Sequence, residues 1–190
     1  MVTGVQTCAL PIFGVALTAS YINNLALVVV GTSECTYYTK NFAYHRQHGR
    51  DKVYSLALDE KDVVFGAQNK VEKAIKDIIQ IENPEAIMIV TTCVPELIGE
   101  DYSSIEFSLQ NEIDIPVFVV NTEHFKCNSH IPGMSRALKS LSSVMENSKV
   151  KDGVNILGHR QKNVENTELV KILNENNRSE ERRVGKECRS

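Results

Sequence analysis

Along this chain, short aliphatic runs alternate with stretches in which apolar residues recur every three or four positions. The runs lie at residues 25–30 (LALVVV), 53–58 (VYSLAL), 86–90 (AIMIV), 116–120 (PVFVV) and 154–157 (VNIL). They are rich in β-branched residues and most are almost uniformly apolar, the pattern of strands buried on both faces. Between them, residues 69–81 place Val71, Ala74, Ile75, Ile78 and Ile79 at helical spacing. Residues 102–112 do the same with Ile105 and Leu109, and residues 134–145 with Leu138 and Leu141. Strands and helices in alternation call for a parallel sheet covered on both sides, so the pattern predicts an α/β fold with a doubly wound, Rossmann-like sheet. The polar stretch 147–152 (NSKVKD) precedes a fresh strand and reads as a linker. The expected organisation is a first α/β domain over residues 13–148 and the start of a second, truncated α/β domain over residues 149–177.

Composition narrows the possibilities. The 190 residues are 42% hydrophobic and 24% charged, with 10 glycines and 5 prolines, enough for one sizeable core and unlike a disordered or collagenous chain. No apolar run approaches the ~18 residues that a membrane span needs, so no membrane association is expected. A formal net charge of −3 offers no cationic field to a phosphate backbone, and nucleic acid is not an expected partner.

Both ends fall outside the pattern. Residues 2–12 (VTGVQTCALPI) and 178–190 (RSEERRVGKECRS) back-translate into sequences that resemble the paired adapters of a short-read sequencing library. Residues 1–12 and 178–190 are therefore expected to be adapter-derived rather than native and to pack against nothing specific. Because the tail holds five basic and three acidic side chains, the remainder is more acidic than the whole.

Setting aside Cys8 and Cys188 in the end segments leaves Cys35, Cys93 and Cys127. An odd, sparse set of thiols suits a reduced, cytoplasmic protein with metal-binding or catalytic cysteines better than a secreted disulfide framework. Each of the three follows an expected strand, and in an open parallel sheet ligands gather at the carboxyl ends of the strands, where the connecting loops converge. There is no CxxC pair, so zinc-ribbon or thioredoxin-type chemistry lacks its spacing. Thiols 58 and 34 residues apart would instead assemble a cluster from separate loops; buried structural cysteines are the other reading. The hydroxyls of Thr32, Ser33, Thr91 and Thr92 are either donors to such a cluster or ordinary loop residues. His124 and His130 are either metal ligands or proton carriers, or surface histidines. Tyr37, Tyr38, Lys40, Tyr44, His45 and Arg46 form a basic and aromatic stretch suited to a subunit interface or an anion site, or to a partly exposed helix face. Asp59, Glu60 and Asp62 are expected to cap the turn that follows them.

Four segments in collinear order carry a family resemblance. They are Gly31-Thr-Ser-Glu-Cys35-Thr-Tyr-Tyr, Asp59-Glu-Lys-Asp-Val-Val-Phe-Gly66, Thr92-Cys93-Val-Pro-Glu-Leu-Ile-Gly-Glu-Asp101 and Val154-Asn-Ile-Leu-Gly158. Together they resemble the nitrogenase component 1-type oxidoreductase superfamily. That superfamily includes the molybdenum-iron protein subunits, their cofactor-assembly scaffolds, the dark-operative protochlorophyllide reductase and the nickel-sirohydrochlorin reductive cyclase. The resemblance implies that Cys35 and Cys93 supply thiolates to an iron-sulfur cluster, of four-iron four-sulfur or P-cluster type. It implies a further ligand just before Phe13-Gly14, at position 10, where this sequence has Leu10. It also sets Cys127, within His124-Phe-Lys-Cys-Asn-Ser-His130, close to the cluster as a ligand or a neighbour. The implied function is that of an oxidoreductase subunit relaying electrons from an ATP-dependent, nitrogenase iron protein-like reductase to a substrate or second metallocofactor. The implied assembly is an oligomer with a homologous component 1 subunit. A non-catalytic scaffold for metal-cofactor assembly, and a plain α/β ligand-binding domain with structural cysteines, are the alternatives.

Overall fold

The computed structural model describes residues 4–47, 52–123, 129–144, 154–156, 167–176 and 180–183. In chain order the elements are α1 (Gly4–Ala19), β1 (Leu25–Gly31), α2 (Ser33–Gln47), β2 (Lys52–Ala57), α3 (Glu60–Phe65), α4 (Gln68–Glu82), β3 (Ala86–Thr91) and α5 (Cys93–Ile98). They continue with α6 (Ser103–Gln110), β4 (Val117–Val120), α7 (Ile131–Val144), β5 (Val154–Ile156), α8 (Glu168–Glu175) and β6 (Glu180–Arg183). The five expected strands and three expected helices are all present, within a few residues of their sequence-based limits.

Strands β1 to β4 form one parallel sheet in the order β2-β1-β3-β4. Seven consecutive buried residues suit β1 to an inner position, whereas β2, at the edge, exposes Ser55 and Ala57. Period-two alternation then splits the core into two layers. Leu25, Leu27 and Val29, with Met88, Val90, Phe118 and Val120, pack on Ile12, Val15, Ala16 and Ala19 of α1 and on Ala137 and Leu141 of α7. Ala26, Val28 and Val30, with Ile87, Ile89 and Val117, pack on Val71, Ile75 and Ile78 of α4 and on Ile105 and Leu109 of α6. Helices thus cover both faces of a parallel sheet, the doubly wound α/β fold that the alternation predicts.

Two local devices set the helices on this sheet. A Cβ on Gly14 of α1 would fall on the backbone carbonyl of His130, and one on Gly133 of α7 would fall on that of Pro11, so α1 and α7 meet backbone to backbone. The acidic run before α3 caps it as expected: the Asp59 carboxylate accepts the Lys61 and Asp62 backbone N–H groups, and the Asp62 carboxylate accepts that of Asp59.

The ends correct the expectation that they pack against nothing. Residues 4–12 begin α1, and both Pro11 and Ile12 are buried, Ile12 within the core. The inward stripe of Val15, Ala16 and Ala19 continues backwards at helical spacing onto Ile12, and burying an apolar side chain is favourable whatever its origin. At the other end, β6 pairs in parallel with β5. Ladder bonds join backbone groups, so the charged side chains of residues 180–183 do not prevent them from occupying a strand edge. The expected linker at 147–152 lies outside the described residues. No helix among the described residues is long and apolar enough to cross a membrane.

Candidate functional site

From β1 the chain passes through α2 to β2 on one side, and from β3 it passes to β4 on the other. The direction of winding reverses between the adjacent strands β1 and β3, and their carboxyl ends border the crevice where such sheets place ligands. Both Cys35 and Cys93 stand there. Cys35 is the third residue of α2 and Cys93 the first of α5, so each occupies a first helical turn rather than the loop expected for it. The reason is that only Thr32 separates β1 from α2, and only Thr92 separates β3 from α5. The two Sγ atoms are 3.6 Å apart although 58 residues separate them in sequence, and both thiols are partly exposed and unbridged. Two thiolates on one tetrahedral metal, with bonds of ~2.3 Å, lie about 3.8 Å apart; a four-iron cluster takes one thiolate per iron and sets its sulfurs farther apart, so the pair fits such a cluster in donor chemistry and place, with the side chains turning outward to bind it.

Thr92 occupies the N-cap of α5, yet its hydroxyl makes no capping bond and is buried with no hydrogen-bond partner among the described residues. It rests on Gly31, where a Cβ would collide with the hydroxyl oxygen. The close approach of Thr92 to β1 therefore requires glycine at position 31. An unpaired buried hydroxyl next to a cysteine is the kind of donor that a cluster sulfur accepts.

A carboxylate holds the turn that carries Cys93. Glu96 Oε1 accepts the Thr91 hydroxyl at 2.8 Å, the Thr122 backbone N–H at 2.5 Å and the Thr122 hydroxyl at 3.0 Å. It thus ties α5 to the ends of β3 and β4. Arg136 of α7 extends the brace, donating to the Thr122 carbonyl and pairing with Glu123 at 3.0 Å. Beyond α5, Glu100 accepts the Ala67 backbone N–H at 2.5 Å and the Tyr102 hydroxyl at 2.6 Å. Burial and this carboxylate hold the Tyr102 phenol well above its ordinary pKa. Sequence reasoning missed Glu96, Thr122 and Glu100, because each bonds to residues that are distant along the chain; the acidic positions in the segment after Cys93 were the one visible signal.

Of the remaining expected site residues, Tyr37 and Tyr38 are 62% and 55% exposed and meet edge to face on α2, and Lys40 is exposed. His130 is partly buried at the start of α7, its carbonyl accepting the Met134 N–H. Cys127, His124 and the side chains of Tyr44, His45 and Arg46 lie outside the described residues. Among the described residues, no three His, Cys, Asp or Glu side chains are grouped for a metal ion. Next to the cysteine edge, α3 and α5 leave Val64, Phe65, Leu97 and Ile98 exposed, Phe65 at 85%.

The family model described as nitrogenase component 1 type oxidoreductase matches residues 11–177. The nitrogenase molybdenum-iron protein alpha chain of Methanosarcina barkeri is 33% identical over 127 residues, which are 63% of this chain and 24% of that one. The nitrogenase iron-molybdenum cofactor biosynthesis protein NifE of Clostridium pasteurianum is 27% identical over 151 residues, 76% of this chain and 33% of that one. A solved structure, nitrogenase Cp1 at pH 5, superposes with a TM-score of 0.71 at 22% identity over 95% of this chain and 39% of its own, a likeness of fold. The chain spans about a quarter to a third of the length of these curated relatives. Matched over most of its residues, the chain belongs to the nitrogenase component 1 type oxidoreductase family.

Proposed function

We propose that this chain is the cluster-binding α/β domain of a component 1-type oxidoreductase subunit. In this reading Cys35 and Cys93 hold an iron-sulfur cluster of four-iron four-sulfur or P-cluster type at the carboxyl edge of the sheet. The observation that carries it is the convergence of two thiols from separate connections at the position where this fold takes its ligands. The cluster, when bound, supplies one-electron transfer between an ATP-dependent iron-sulfur reductase and a substrate or second cofactor. The protein's own residues do the rest. The first turns of α2 and α5 aim the thiolates, Glu96 fixes the second of these turns, and the Thr92 hydroxyl is available to a sulfur. The exposed Val64, Phe65, Leu97 and Ile98 offer the reductase an apolar docking surface beside the thiols, and a homologous subunit completes the oligomer. Residues 13–148 form the cluster-binding domain and residues 149–177 open the next; the four-stranded sheet, built wholly from strands β1 to β4, supports the first of these bounds.

Anaerobic reconstitution with ferrous iron and sulfide tests the assignment. The assembled protein, with its companion subunit and the further ligand present, is expected to acquire the broad visible absorbance of an iron-sulfur cluster. Cys35→Ala or Cys93→Ala should each abolish it while leaving the far-ultraviolet circular dichroism of the cluster-free fold in place, and Cys127→Ala should do much less. Equal, purely destabilising effects at all three positions, with no iron in the unsubstituted chain, would instead assign the cysteines a structural role. The likeness to NifE favours one second reading, a non-catalytic scaffold on which a metal cofactor is assembled. Reductase-dependent turnover by the assembled protein separates the two.

A further inference from the structure

We propose that Cys35 and Cys93 are also a redox-modification site: in the cluster-free chain a peroxide converts the two thiols into an intramolecular disulfide, and a dithiol reverses it. The modification stands on the geometry of the pair, and its consequence for cluster loading rests on the reading above.

The sulfurs lie 3.6 Å apart, and a disulfide bond of ~2.05 Å requires them to close by about 1.5 Å, within the reach of χ1 rotation at either residue. The backbone already holds the two positions together. Cys35 and Cys93 sit in first helical turns joined by single residues to adjacent, hydrogen-bonded strands, and Thr92 N–H donates to the Val30 carbonyl at 2.9 Å, fixing one connection to the other. Both thiols are partly exposed, so a small polar oxidant reaches them from solvent.

The chemistry balances. One thiolate attacks a peroxide oxygen; an S–O bond forms, the O–O bond breaks, and the leaving oxygen departs as water after taking up a proton. The second sulfur attacks the resulting sulfenic sulfur; the S–S bond forms, the S–O bond breaks, and the oxygen leaves as a second water carrying the second thiol's proton. Overall, two thiols lose two electrons and two protons to one hydrogen peroxide. A low-molecular-weight dithiol returns them by thiol-disulfide exchange. While the disulfide persists neither sulfur is a thiolate, so neither ligates iron, and an empty site is held closed and protected from further oxidation until reductant is present.

The test uses the chain purified anaerobically without iron, treated with one equivalent of hydrogen peroxide, alkylated and digested. The expected product is a Cys35–Cys93 linked peptide pair, formed at least tenfold faster than any linkage involving Cys8, Cys127 or Cys188, absent in Cys35→Ser and Cys93→Ser, and lost on addition of dithiothreitol. Sulfinic acids at both positions without a link, or linkage to the other cysteines at the same rate, would overturn the proposal. A parallel arm adds ferrous iron and sulfide to the reduced and oxidised chains. Iron uptake confined to the reduced chain supports the consequence for loading, and equal uptake by both overturns it. A linked pair in the iron-free chain together with no cluster in the assembled protein would refute the cluster reading and leave the redox site standing; a cluster there with no linked pair would do the reverse.

Discussion

Asp62 uses one carboxylate for two tasks, closing the cap of α3 and pairing with Lys70 of α4, whose ammonium also donates to the Ala57 carbonyl at 2.9 Å. Burial works to raise its pKa, but the hydrogen bond from Lys70, the backbone N–H of Asp59 and the Lys70 charge together hold it below the ordinary aspartate value. A carboxylate depressed in the folded state contributes stability that is fully present above its unfolded pKa and is lost as pH falls through the folded one. Urea unfolding at a series of pH values should therefore show stability declining below about pH 4, and Asp62→Asn should flatten that decline; an unchanged profile would contradict the pairing. Gly31 is the other residue on which much depends. Gly31→Ala pushes a methyl group onto the Thr92 hydroxyl and is expected to cost about 1–3 kcal/mol in denaturant unfolding. Adding Thr92→Ala should recover part of that loss, because the two positions share one contact. Fully additive losses would show that the contact is not the cause.

At the scale of elements, what was legible followed from local spacing. The three-residue interval from Asp59 to Asp62 announced the cap of α3, and Val71, Ile75 and Ile78 announced α4, since both signals lie within a few turns of chain. Helix α2 was far less visible, because the inward residues Thr36, Thr39 and Ala43 are small or polar and leave little hydrophobic period. The two threonine hydroxyls are satisfied within the helix, Thr39 donating to the Cys35 carbonyl at 2.8 Å and Thr36 to that of Ser33 at 3.1 Å. Helices α3 and α5, of six residues each, are too short to display a period at all. The crossing of α1 and α7 was equally hidden, since it depends on two glycines far apart in sequence, Gly14 admitting the carbonyl of His130 just before α7 and Gly133 that of Pro11 in α1. Gly133→Ala should force these helices apart and lower stability by about 1–3 kcal/mol, read from a urea titration. A neutral result would mean that the crossing relaxes at no cost.

The whole molecule distinguishes its two ends. Residue Ile12 is 1% exposed in the core beneath the sheet, whereas β6 pairs with β5 in a sheet of its own. Deleting residues 178–190 should therefore leave the main unfolding midpoint where it is. Deleting residues 1–12 should lower stability by at least the ~1.5–3 kcal/mol of one buried aliphatic side chain. Denaturant unfolding of the two truncated chains measures both, and an equal effect of the two deletions would contradict the asymmetry.

The sequence by itself determined the strand content, the parallel α/β class and the location of Cys35 and Cys93 just beyond strand ends, because these depend on periodicity and chain direction, which are local. It also carried the motifs by which the family was recognised. Only the tertiary structure decided that β3 lies against β1, with Val30 opposite Thr91, and hence that two thiols 58 residues apart stand 3.6 Å from each other. The same holds for the brace from Glu96 to Thr122 and for the seat of Thr92 on Gly31. Strand order arises from which faces and edges pack most favourably across the whole chain, and no local pattern of residues encodes a neighbour that is distant in sequence.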